Sequence, residues 1–272
     1  MISVAEAIRG ALLTADPSRK IMTTRKVARD WRLGRLAHAF DTVMPDRPAR
    51  PDTPILLQPS QMPKRGKAGS AAKRVALLHA LAHIEFSAID LALDMAGRFG
   101  AGQPPAFIDD WLAVAADEAM HFALLDRRLR RLGSHYGSLP AHDGLWEAAE
   151  VTAHDVLARL AIVPLVLEAR GLDVSPATIE RLRKGDDLIS ARIVTRIYHD
   201  EIRHVATGFR WFSSYCANHP SGAIDSILTW QSLVRTWFRG PLKPPFNDSA
   251  RESAGLTRLY YQGLATQAAD RQ

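Results

Sequence analysis

The chain has a single cysteine, Cys216, among 272 residues. No intramolecular disulfide can form, and the lack of clustered thiols argues against an iron–sulfur or rubredoxin-type centre. Electron-transfer iron would have to come from another protein. Long apolar runs are also missing: none approaches the roughly 18 residues of a membrane span. The N-terminus lacks the basic start and continuous apolar stretch of a secretory signal. The chain therefore reads as cytoplasmic, with no membrane segment. What it has is length and 47% hydrophobic content, enough to bury a large core in a single domain with or without extensions.

Against those absences stands a set of potential metal ligands that occurs twice. Glu85 with Glu118 and His121 is followed by Glu168 with Glu201 and His204, and corresponding residues are 83 apart each time. Each lone Glu precedes its Glu-x-x-His by 33 residues. Residues three apart share a helix face, so each Glu-x-x-His aims a carboxylate and an imidazole at one point, while the lone Glu arrives from a neighbouring helix. With ten histidines in the chain, one such motif arises readily by chance. Chance does not supply the equal spacing, the two lone carboxylates and their setting together.

That setting is apolar. Leu78, Leu81, Ala82 and Ile89 flank Glu85, and Trp111, Val114, Ala115 and Phe122 flank Glu118. Leu160, Ala161 and Leu165 lie beside Glu168, and Val194, Ile197 and Val205 beside Glu201. Four carboxylates in a core need compensating positive charge. Two divalent cations would make the centre neutral, and neutral imidazoles would complete the coordination. Helical bundles of the di-iron and di-manganese type have this arrangement.

The pattern resembles the ferritin-like superfamily, which includes ferritins, rubrerythrins, ribonucleotide reductase small subunits and bacterial multicomponent monooxygenases. The runs HALAHIEFSAIDLALD, DDWLAVAADEAMHFALL and LPAHDGLWEAAEVTAHDVLAR are similar to a bacterial ferritin-like family carried as domain of unknown function 455. The likeness covers nearly the whole chain, including RGPLKPPFN. That family brings no settled reaction with it. The resemblance implies that Asp117 accepts from the ring of His204 and Asp200 from the ring of His121, fixing tautomer and orientation; Asp beside Glu is also common on helix surfaces. Arg203 gives the second motif the Glu-x-Arg-His form of several di-iron relatives, whereas the first half has Met120.

The expected fold is all-α: a ferritin-like four-helix bundle with a long crossover between helices two and three, plus N- and C-terminal helical extensions. Residues 1–70 read as an N-terminal helical extension and a basic Pro/Gly linker, 71–217 as the di-metal bundle, and 218–272 as a C-terminal helical extension packing on it. Helix one is expected from Ala71 to about Arg98 and helix two from about Ala106 to Leu132. Residues 133–144 break helicity, and extended they reach about 40 Å, the length of a 28-residue helix. Helix three is expected from about Leu145 to Arg170, interrupted at Pro164, which should distort the backbone near Glu168. After GLDVSP and a short helical stretch, helix four should run from about Asp186 to Tyr215.

The two halves differ at Tyr198, whose counterpart is Ala115. Three residues before Glu201, Tyr198 projects toward the ligand face, where its phenol could serve the chemistry or rest on an ordinary core partner. His154 lines a channel or is a satisfied core histidine, while His79 and His83 are off the face of Glu85. Mixed carboxylate and imidazole ligands suit iron and dioxygen, with manganese possible; zinc would want fewer ligands. The expected function is an oxygen-activating non-heme di-iron oxidoreductase, an oxidase or hydroxylase acting on a small organic substrate, with an external electron donor if it is an oxygenase. Two alternatives stand beside it: iron or peroxide handling of the ferritin and rubrerythrin kind, and a tRNA-modifying di-iron hydroxylase. The net charge of +6, the Arg127, Arg128, Arg130, Arg131 cluster and the basic arm at Lys64, Arg65 and Lys67 would suit an acidic partner. The sequence shows no aromatic interleaving or RNA-binding motif, so a small-molecule substrate is favoured over nucleic acid.

Overall fold

The computed structural model describes residues 1–62 and 70–269. Their regular structure is helical, apart from two isolated β-bridges, and the protein is all-α. It divides into two compact units, Met1–Glu150 and Val151–Gln272. The basic arm at Lys64, Arg65 and Lys67 lies outside the described residues.

In the first unit, α1 (Val4–Leu12) starts where the Ser3 hydroxyl accepts from the Glu6 amide. Helix α2 (Pro17–Arg32) starts where the Asp16 carboxylate accepts from Arg19, with Pro17 in the first helical position. Each cap satisfies an amide that has no partner inside the helix. Both helices pack on a hairpin of α3 (Ala71–Phe99) and α4 (Pro105–Arg131), joined across Gly100 and a proline pair. Helix α3 is long and apolar enough to span a membrane by length and composition, yet 67% of its most apolar window is buried inside the protein. Its exceptional hydropathy is that of a core helix.

Residues 132–143 leave α4 without regular structure and are held along α3 by two histidines. His79 Nε2 accepts from the Gly137 amide at 3.0 Å. One turn on, His83 pairs through Nδ1 with the Tyr136 hydroxyl at 2.9 Å and through Nε2 with the His142 carbonyl at 3.1 Å. The Leu57 amide adds a bond to the Ala141 carbonyl at 2.8 Å. Burial, then the nearby Arg50 cation, pushes His83 down to about 4. Its folded value thus lies below the ordinary 6.5, so the unfolded chain takes up the proton first. The stability His83 contributes is complete above pH ~6.5 and is lost as pH falls toward 4, by on the order of 3 kcal/mol. Urea titrations at pH 7.5 and 4.5 should show this loss, and His83→Gln should flatten it.

Helix three of the sequence reading is broken. Helix α5 (Gly144–Val151) ends, and the Asp155 carboxylate, accepting from Leu157, caps a new helix, α6 (Val156–Ile162). A π-helical stretch, Val163–Glu168, follows and runs straight into α7 (Ala169–Lys184). The expected break at GLDVSP is absent: α7 passes through it with Pro176 inside. A proline there strips the carbonyl four residues earlier, Leu172, of its helical donor. The side-chain amide of Asn247 replaces it, donating to the Leu172 carbonyl at 3.1 Å. The Arg251 guanidinium also grips Asp173 with two bonds of 2.8 Å. The C-terminal segment thus completes α7.

Helix α8 (Leu188–Ala217) packs against α7 and the π stretch. The contact depends on Gly208, where a Cβ would stand 2.4 Å from Cβ of Pro164 and 2.5 Å from its Cγ. The ring is rigid, so Gly208→Ala should cost about 2 kcal/mol despite the helix propensity of alanine. Gly171→Ala in α7, with nothing within 4 Å, should be neutral or stabilising, and urea unfolding of the two variants tests the contrast. Beyond α8 come α9 (Ser226–Trp237), α10 (Asp248–Ser253) and α11 (Arg258–Ala269). The buried Trp230 of α9 donates its indole N–H to the Ala161 carbonyl, just before the π stretch, at 3.2 Å.

Candidate metal centre

Glu85 lies at the middle of α3, and Glu118 and His121 lie one turn apart at the middle of α4. The antiparallel hairpin brings the two midpoints level. His121 Nδ1 is 3.1 Å from Glu85 Oε2 and 3.3 Å from Glu118 Oε2. The three ligand atoms lie within 4.8 Å of one another, and the residues are 4%, 1% and 0% exposed. Phe86 and Phe122, which follow Glu85 and His121 in sequence, form an aromatic cluster with Tyr136, with centroids 4.9–5.2 Å apart in tilted and edge-on contact.

The electrostatics of this cluster call for a cation. Burial, reinforced by the Glu118 charge, raises Glu85 well above the usual carboxylate range. Burial alone would depress His121, but hydrogen bonds and charge from Glu118 and Glu85 outweigh it and push the imidazole up to about 11. A proton is thus held among these groups far above its ordinary titration. A metal ion meets the same demand with more charge and directional bonds, so the donor set fits one.

The second unit carries Glu201 and His204 one turn apart on α8, 8% and 2% exposed. His204 Nδ1 is 3.6 Å from Glu201 Oε1. Half-buried Glu168 is the last residue of the π stretch. Such insertions recur at functional sites because they rotate a side chain off the regular helical register; here Pro164, Gly208 and Trp230 account for it. Asp117 is half-buried beside Glu118. Asp200 receives the Arg196 and Arg203 guanidiniums, each at 2.5 Å, which gives Arg203 its own role as a partner of Asp200. The Tyr198 hydroxyl accepts from Asn247 at 3.0 Å. His154 is exposed, its ring 4.8 Å from that of Trp237.

Sequence reasoning missed Asn247 and Tyr136. Asn247 was detectable through Pro176, since a proline inside a helix leaves a carbonyl that some donor must meet. Tyr136 had no signal, because its partners depend on the path of an irregular segment.

The fold and the cluster define an all-α protein with a buried carboxylate–imidazole group that could hold a metal ion. The chain belongs to the family described as "Protein of unknown function (DUF455)", which matches residues 13–262. It is 42% identical over 216 residues to an uncharacterized protein of Haemophilus influenzae, covering 77% of this chain and 74% of that protein. No solved structure matches it.

Proposed function

We propose that the protein is a ferritin-like di-iron oxidoreductase that uses dioxygen to oxidise or hydroxylate a small organic substrate in the cytoplasm. Glu85, Glu118 and His121 hold one half of the metal centre, and Glu168, Glu201 and His204 hold the other. The observation that carries this reading is the buried Glu85–Glu118–His121 cluster, which is costly unless a cation is present. The exact repeat of its residue types at a constant offset supports extending the site to the second triad. Iron bound there would supply electrons to dioxygen, with an external donor providing the reducing equivalents if the substrate is hydroxylated, and manganese fits the same ligands. Glu168, half-buried at the end of the π stretch, would be the ligand supplied by the distorted part of the helix.

Metal analysis of the protein as purified, followed by anaerobic Fe(II) loading and exposure to oxygen, tests the reading. About two irons per chain, with rapid oxygen uptake in proportion to iron and no mineral growth, is the expected result. Uptake of many irons per chain would point to storage, and failure to bind metal would end the proposal.

A further inference from the structure

A groove apart from the ligand cluster has a consistent chemistry. It runs between α2 and α4 with a volume of about 1300 Å3. Its floor is made of small and aliphatic side chains, among them Ala28, Leu112, Ala113 and Ala116. Arg25, Lys26, Arg29 and Arg32 line it, all exposed. Within α2 the only acidic residue is Asp30, which pairs with Lys26 and Arg29. Arg25 and Arg32 have no ion pair among the described residues. The carboxylate lining the groove, Asp109, is engaged by the Trp31 indole N–H at 2.6 Å. Trp31 and His38, with centroids 5.7 Å apart, add ring surface at one end, so the fold supplies beside the cations the aromatic groups that the sequence does not interleave with them.

We infer that this groove binds single-stranded nucleic acid. Arg25, Arg29 and Arg32 rise along one face in steps of about 6 and 4.5 Å, a spacing that can follow consecutive phosphates. The apolar floor of Ala28, Leu112, Ala113 and Ala116 offers bases a surface without competing charge, and the His38 and Trp31 rings offer stacking surfaces. Cations in excess of carboxylates over an apolar floor fit a strand that carries charge on one edge and flat apolar faces on the other. The inference is independent of what metal the buried cluster holds.

The test is fluorescence anisotropy of the full chain with a labelled 20-nucleotide oligouridylate across a salt series. Binding should weaken steeply with salt, and Arg25→Gln/Arg32→Gln should lower the affinity about tenfold or more and reduce the log–log salt slope by about 1.4. Circular dichroism checks that the variant folds, as two exposed side chains without partners should allow. Polyglutamate of equal charge should compete poorly. No binding of the oligonucleotide, equal binding by the variant, or equally effective competition by polyglutamate, which would mark an acidic protein as the partner, would overturn the inference.

Discussion

With metal bound at the Glu85–Glu118–His121 cluster as proposed, Glu118→Ala should release it. The carboxylate is 1% exposed and stands 3.3 Å from His121, so alanine removes a ligand that water reaches poorly and the neighbouring groups cannot replace. Loss of outer partners of metal ligands alone weakens binding by 10–100-fold, and loss of a ligand should exceed that, at least ~100-fold. Metal content after gel filtration should fall correspondingly, and the thermal stabilisation produced by Fe(II) or Mn(II) should shrink with it. Glu118→Gln separates charge from shape, since the amide fills the same space without anchoring a cation. Wild-type metal content in both variants would remove Glu118 from the centre.

Asp90→Ala should be the most destabilising single change away from the ligands. Asp90 and Lys20 are both fully buried and pair at 2.5 Å, and the Arg50 guanidinium holds the other carboxylate oxygen. Lys20 also donates to the carbonyls of Leu12 and Ala49 at 3.3 and 3.4 Å. One ammonium thus ties α2 to the end of α1, to the chain before Arg50 and to α3. Burial lowers the lysine despite the aspartate beside it, which shows how much the pair spends on desolvation. Without Asp90 two cations lose their counter-charge, and the expected cost is about 3–5 kcal/mol. Lys20→Met/Asp90→Leu should recover much of it, because an apolar pair of similar volume carries no desolvation penalty. Urea unfolding measures both, and a loss below about 1 kcal/mol in the single variant would contradict this account.

The sequence revealed the features that rest on helical periodicity and local chemistry. The ends of α3 and α4 fell within a residue of their expected positions, because Gly and Pro punctuate them. The apolar neighbours of Glu85 and Glu118 foretold their burial. Helix three was misread because residues 145–170 are periodic throughout, and the competing signal, Asp155 capping a fresh apolar run, is a single residue. GLDVSP was read as a break after Arg170 because the remedy for its proline, Asn247, comes from a distant part of the chain. The groove between α2 and α4 was not legible at all, since its floor comes from alanines that only the packing of α2 exposes along a trough.

Helix α7 has a consequence for the order in which the protein can be completed. The Leu172 carbonyl finds its donor in Asn247, 75 residues later, and Asp173 finds Arg251 78 residues later. On a ribosome synthesising from the N-terminus, the helix that continues directly from Glu168 must wait for its carbonyl donor until Asn247 has been made, and until then Asp173 has only Arg170 of the same helix, 3.4 Å away, in place of the Arg251 fork. A nascent or truncated chain that stops before Asn247 therefore carries α7 without the donor to its Leu172 carbonyl and without the Arg251 bonds to Asp173.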